Sequence, residues 1–267
     1  MSAVVTGTLG APAQAIYRRA IQLLTDANVP FLLGGAYAYA HYTGVVRHTK
    51  DLDLFLRRAD VGRARAAFEA DDFRTEITYP HWLAKAFAGD HFVDLIFNLG
   101  NGIGPVTDDW FDHAEPGELL GLPVRLLGPE EMIFSKVFTM DRGRFDGADI
   151  AHLVRACGDR LDWRRLLDRF QTHWRVLLCH LVLFGFVYPA DRDKVPRWVI
   201  RDLLDRLKAE EGEQPSGEPL CQGTLLSPTQ YLIDVEQWGY RDARLPPFGP
   251  LTPEQVEHWT EGVIEGK

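Results

Sequence analysis

A chain of 267 residues, 46% apolar and 25% charged, has room for one large domain or two smaller ones and the make-up of an ordinary globular protein. Its formal charge of −9 excludes a surface that is basic throughout, so contact with nucleic acid would need a local patch. Three widely spaced cysteines, Cys157, Cys179 and Cys221, exclude a disulfide framework and read as reduced, buried residues of a cytosolic protein.

Residues 1–11 are small and polar, without the basic segment and apolar core of a secretory leader, and read as a loose terminus. Ile16, Ala20, Ile21 and Leu24 recur at helical spacing over 13–27, and Asn28 and Pro30 end that helix. Residues 31–33 form the first expected strand. Gly34 and Gly35 follow, a turn where no Cβ hinders a ligand's approach. A short helix is expected over 36–42, its N-terminus offering N–H groups and a positive dipole to phosphate. The next strand carries Asp51 and Asp53. Residues i and i+2 of a strand share a face, about 6.6 Å apart, so these two carboxylates repel unless a cation joins them. Mg²⁺ takes one or two carboxylates together with substrate phosphates.

Asp60 is expected to cap a helix running to Ala70. Residues 73–78 and 82–88 read as strands around a turn at Tyr79-Pro80, and 91–97 as another strand, carrying Asp94. The glycine-rich stretch 99–105 reads as a mobile turn beside the site; it lacks the G-x-G-x-x-G dinucleotide pattern. A strand over 122–127 and a helix from 128 to about 140, holding Lys136, complete the first half.

The combination Gly34-Gly35, Arg47-x-Thr49-x-Asp51-x-Asp53, with Asp94 on a later strand, resembles the entry motif of the nucleotidyltransferase superfamily, the DNA polymerase beta-like fold. That resemblance implies an α/β domain with a mixed sheet of about five strands flanked by helices, followed by a helical C-terminal domain. It implies that Asp51, Asp53 and Asp94 bind Mg²⁺ and act in catalysis, and that Gly34, Gly35 and Thr49 lie on the nucleotide. Two metals would clamp the attacking and leaving oxygens. The run Lys136…Arg142-x-Arg144-x-Asp146-x-x-Asp149 is similar to the segment that closes this domain in AbiEii-like toxins and related bacterial families. There the lysine faces the nucleotide, so Lys136 is a further expected contact, with Asp146 and Asp149 positioning Arg142 or Arg144.

The expected catalytic domain is 1–158, and a mainly helical domain occupies 159–267. Between Arg160 and Lys208 nine Arg and two Lys face six Asp, a local charge of +5 against −14 for the rest. Trp163, Trp174, Phe184, Phe186, Tyr188 and Trp198 interleave with these cations, which fits either an RNA-contacting surface or a helical bundle with an aromatic core. Residues 176–188 read as a buried helix, too short for the roughly 20 residues of a membrane span. Residues 209–219 read as a flexible linker. A helix opened by Ser227 and Pro228 is expected, and a capping box, Thr252-Pro-Glu-Gln255, starts the last helix.

The expected function is transfer of a nucleoside monophosphate from an NTP to an acceptor hydroxyl, in the cytoplasm and away from any membrane. Acceptors in the resembling families are antibiotics, a tRNA end or a protein side chain, so a small molecule and RNA both stay open, as does a homodimer. The alternative is a catalytically silent module of the same fold, acting as a binding or toxin–antitoxin partner. A third reading, a metalloenzyme built on His81, His91, Asp94 and His113, lacks any close ligand spacing. His41 and His48, flanking the aspartate strand, are further candidates for substrate contact.

Overall fold

The structure, a computed structural model, describes residues 10–47, 49–212, 214 and 217–265. His48, the expected loose terminus before residue 10 and residues 213, 215 and 216 of the expected linker lie outside the described residues. Packing divides the chain into two compact units. The first runs to Gly128 and takes in the segment from Leu245; the second is Pro129–Arg244.

The first unit opens with α1 (Ala11–Asp26), β1 (Leu32–Leu33), α2 (Gly35–Thr43), β2 (Asp51–Phe55) and α3 (Val61–Glu69). Then come β3 (Arg74–Tyr79), β4 (Leu83–Ala88), β5 (His91–Ile96), α4 (Asp108–Asp112), β6 (Glu115–Leu119) and β7 (Leu122–Leu126). The strands form one mixed sheet in the order β3-β4-β5-β2-β1-β7-β6, seven strands where about five were expected. β1 pairs parallel with β7 and β2 parallel with β5, and the remaining pairs are antiparallel. Strand alternation sorts the two faces. Leu52, Leu54, Ala84, Ala86, Val93 and Leu95 face one way and pack into a core with Ile21 and Leu24 of α1 and Val61, Ala64 and Phe68 of α3. Asp51, Asp53, Lys85 and Asp94 take the opposite parity. Asp60 precedes α3 but makes no side-chain cap; its carboxylate pairs instead with Arg57 and Arg63.

The segment from Leu245 ends in the last helix (Pro253–Glu265), opened by the expected capping box: Thr252 N–H donates to Gln255 Oε1 at 3.0 Å and Gln255 N–H to Thr252 Oγ1 at 3.3 Å. This segment covers the turn after β5. A Cβ on Gly100 would sit 2.7 Å from the Trp259 ring, and one on Gly102 2.7 Å from the Leu251 side chain. His81 Nε2 bonds to the Gly100 carbonyl at 2.9 Å. The expected mobile turn is thus closely packed, with Asn101 buried.

The second unit is helical: α5 (Pro129–Lys136), α6 (Gly147–Cys157), α7 (Trp163–Phe170), α8 (Trp174–Val187) and α9 (Arg197–Ala209), then short pieces ending in Arg241–Asp242. Its interior holds ion pairs. Glu131 is fully buried and bound by Arg165 and Arg169, and Arg244 is fully buried on Asp242 at 2.7 Å. Trp163, Trp174 and Phe184 are buried, as a bundle core requires, whereas Phe186 is 83% and Trp198 40% exposed. The apolar helix α8 is buried on one side only: Val182, Leu183 and Val187 are exposed as well. Cys179, on that open side, is exposed, a correction to the expected burial; Cys157 and Cys221 are buried. The helical run Trp163–Val187 is long and apolar enough to be a candidate membrane span by length and composition. Gln171, at φ 39, breaks it into α7 and α8. Ser227 opens a turn rather than a helix: its hydroxyl accepts from Gln230 N–H and donates to Asp141, and the helix forms only at Leu232–Glu236.

Candidate functional site

Strand register gathers the three acids. β2 and β5 run parallel with Asp53 directly opposite Asp94, and Asp51 shares that face two residues earlier. One carboxylate oxygen from each of Asp51, Asp53 and Asp94 lies within 4.8 Å of the other two, and all three residues are partly exposed. Among the described residues no other group of three or more His, Cys, Asp or Glu side chains is arranged to hold a metal ion. His81, His91 and His113 do not gather with Asp94 as a metal centre: His81 is bonded to the Gly100 carbonyl and His113 pairs with Asp109.

The glycine turn lies against these acids. Gly34 N–H donates to the Asp53 carbonyl at 3.0 Å, fixing β1 to β2. Gly35 has φ +54, and a Cβ there would sit 1.7 Å from Asp53 Oδ2. Only glycine satisfies both the left-handed backbone and the contact. α2 begins at Gly35 without a side-chain cap, so its first-turn N–H groups have no acceptor within the helix. They constitute an anion-seeking end beside the acids.

Hydrogen bonds orient the cluster. Thr49, expected on the nucleotide, donates its hydroxyl to the Asp51 carboxylate. Lys85 of β4 stands opposite Asp94 in the β4–β5 pairing, its ammonium 2.7 Å from Asp94 Oδ1. Burial pushes the Asp94 carboxyl above its ordinary range, and Lys85 pulls it back. Behind the acids, the Tyr17 hydroxyl donates to the Lys50 carbonyl at 2.9 Å, and the Tyr17 ring meets Tyr37 edge-on at 6.5 Å. Burial, then the charges of Asp51, Asp53 and Asp94, push the Tyr17 phenol up to about 12; Tyr37 is raised too, mainly by burial. Both phenols therefore stay neutral beside the anionic cluster.

Lys136 lies in the second unit. Its ammonium is 2.9 Å from Asp149 Oδ2 and 3.4 Å from Asp146 Oδ2, and Arg144 also binds Asp146. Of the expected arginine contacts, the Arg144–Asp146 pair forms, with Nε 3.0 Å from Oδ1. His41 is exposed, with its ring edge-on to Tyr42.

These donors suit a hard divalent cation. Mg²⁺ and Mn²⁺ prefer carboxylate oxygen, and three convergent carboxylates without a histidine or thiolate are such a set. A Cβ at Gly35 would occupy the flank of that cluster, so the backbone keeps it open. The sequence reading missed Lys85, Tyr17 and Tyr37. Lys85 becomes visible only once β4 and β5 are set in register, because nothing in the local pattern Leu-Ala-Lys-Ala-Phe marks it. Tyr17 and Tyr37 fall within the helices expected over 13–27 and 36–42, where no local pattern ties them to the acids.

A family model described as uncharacterised nucleotidyltransferase matches residues 11–184, well over half of the chain. No curated protein matches the sequence. Among solved structures, the antibiotic-resistance factor ANT(2'')-Ia is similar at 19% identity, over 64% of this chain and 98% of that one, with a TM-score of 0.46. The lincosamide antibiotic adenylyltransferase LnuA, solved with lincomycin bound, is similar at 15% identity over 52% and 94%, with a TM-score of 0.38. An antigenic nucleotidyltransferase-like protein from Paracoccidioides brasiliensis is similar at 16% identity over 70% and 95%, with a TM-score of 0.44.

Proposed function

Because the chain belongs to a family of uncharacterised nucleotidyltransferases, we propose that it moves a nucleoside monophosphate from an NTP to an acceptor hydroxyl, using Mg²⁺ held by Asp51, Asp53 and Asp94. The observation that carries this reading is the meeting of three carboxylate oxygens within 4.8 Å beside the Gly34-Gly35 turn.

A bound divalent cation supplies polarisation of the α-phosphoryl group and charge neutralisation on the leaving pyrophosphate. The chain's own groups do the positioning. Gly34, Gly35 and the first-turn N–H groups of α2 seat the phosphates, since no side chain stands between backbone and ligand. Thr49 keeps the Asp51 carboxylate turned into the cluster, which favours the nucleotide-bound arrangement indirectly. The acceptor oxygen forms a bond to the α-phosphorus as the bond to the bridging oxygen breaks. Asp94 is the proposed base that takes the acceptor proton, and pyrophosphate leaves with the bonding pair. Catalysis of this kind is mostly orientation and charge compensation, so few side chains suffice.

We keep Lys136 as a proposed nucleotide contact on the strength of the sequence resemblance alone, and residues 1–158 as the proposed catalytic segment. The acceptor is a small molecule such as an antibiotic, or an RNA end, and the proposed compartment is the cytoplasm. Incubation with each α-labelled NTP, Mg²⁺ and a panel of aminoglycosides, lincosamides and RNA tests the reading. Label should move to one acceptor class with the natural sequence and not with Asp51→Ala/Asp53→Ala. Transfer surviving in that double variant, with Mg²⁺ still required, would overturn the assignment of the metal site.

A further inference from the structure

Lys85 and Asp94 oppose each other in the antiparallel pairing of β4 with β5, so their side chains rise from the same face. The ammonium lies 2.7 Å from Asp94 Oδ1 and 4.1 Å from the centre of the Phe92 ring. The two side chains are only 21% and 13% exposed, so solvent screens the pair weakly. A fixed cation is therefore bonded to one of the three acids that converge on the cluster.

We propose that Lys85 makes the carboxylate cluster take up a divalent cation together with a triphosphate in preference to the cation alone. This rests on the proposed metal-dependent transfer and adds an order of assembly to it. The ammonium offsets part of the negative charge of the three carboxylates, so a lone divalent cation is held less tightly there than by the carboxylates alone. A triphosphate, with about four negative charges at neutral pH, brings its own attraction for the cation and is itself drawn to the ammonium. The same ammonium acts with opposite sign on the two ligands. It repels a lone metal ion and competes with it for Asp94, and it attracts the phosphates that accompany a metal–nucleotide complex. Phe92 holds the ammonium in place through its ring face, so the charge stays at the site whichever ligand is bound. If Lys85 instead served only to orient Asp94, removing its charge would loosen a lone metal rather than tighten it. The two roles thus predict opposite signs.

Calorimetric titrations with MnCl₂ alone, and with a preformed Mn²⁺–tripolyphosphate complex, read both affinities without needing the natural nucleotide or any turnover. Lys85→Met should bind Mn²⁺ alone about tenfold more tightly and the tripolyphosphate complex about tenfold more weakly, from the loss of one nearby charge. Lys85→Arg should keep both affinities within a few-fold of the natural protein. Lys85→Gln serves as a second neutral variant should Lys85→Met fold poorly. The unaltered protein should itself bind the complex at least tenfold more tightly than the lone ion. Equal affinities there, or neutral variants that bind Mn²⁺ alone no tighter, overturn the proposal while leaving the metal site standing. If the natural protein binds Mn²⁺ in neither form and matches Asp53→Asn, the proposed metal-dependent function falls with it.

Discussion

Gly35 is the residue on which backbone and chemistry meet most closely. Its φ of +54 costs a side-chain-bearing residue about 1–2 kcal/mol, and its missing Cβ is the space that the Asp53 carboxylate fills. Gly44 supplies a control at the other end of α2: φ is +73, yet a Cβ there meets nothing within 4 Å. Gly35→Ala and Gly44→Ala should therefore lose similar stability from backbone strain. Only Gly35→Ala should also lose the proposed nucleotidyl transfer, by at least about 100-fold, because displacing a proposed metal ligand costs at least as much as losing its outer support. Melting temperatures and initial rates measured side by side separate the two effects; equal activities would refute the contact as described. The glycines and the two strand aspartates were legible in the sequence because their meaning is local: a spacing of two on a strand and a turn without side chains. Lys85 was not legible, since its partner lies nine residues away across a strand pair whose register the sequence alone does not state.

Among the elements, the strands with alternating apolar residues were read within a residue or two, as was α3. β6 was passed over because Pro116 and Gly117 punctuate it, and its place at the edge of the sheet is where such residues are tolerated. α8 was read correctly as a helix and incorrectly as buried: an uninterrupted apolar run gives no period from which to tell an inner side from an outer one. The last helix was foreseen from its capping box, but not what it covers. Trp259 lies against Gly100, and the His258 ring lies 5.3 Å from Tyr79 at the end of β3. Trp259→Ala should destabilise the first unit by about 2 kcal/mol, below the full cost for a wholly buried tryptophan. It should also reduce transfer activity, since the uncovered turn directly follows the strand that holds Asp94. Urea unfolding followed by fluorescence, with rates at a saturating substrate level, checks both. A loss of activity without any loss of stability would contradict this account.

For the molecule as a whole, acid sensitivity has an identifiable source in the second unit. His180 is buried, bonded to the Val137 carbonyl at 3.1 Å and stacked on Phe145, and burial lowers its pKa; burial lowers that of His173 as well. In the unfolded chain both titrate near about 6.5. Between that value and their lower folded values the unfolded state binds more protons, so stability falls as pH falls. Above about pH 6.5 this contribution is fully present. The melting temperature of the natural protein should drop on going from pH 7.5 to 5, and His180→Phe/His173→Phe should flatten that slope even if it lowers the value at pH 7.5. An unchanged slope would place the acid sensitivity elsewhere. Gly128-Pro129 and the stretch Pro246-Pro247-Phe-Gly-Pro250 punctuate the sequence at the two boundaries, but nothing local states that segments so far apart share the first unit.

That return of the late segment to the first unit bears on how the protein is made. During synthesis the ribosome releases β2 and β5, with all three acids, long before Trp259 and Leu251 emerge to close over the turn at Gly100 and Gly102. At about 5–20 residues per second, the nascent sheet must wait roughly 8–30 seconds for its cover while the intervening helices are translated. A product of premature termination after Arg244 therefore carries Asp51, Asp53 and Asp94 and still lacks the packing that fixes the loop behind Asp94, which leaves it a ready target for proteolysis.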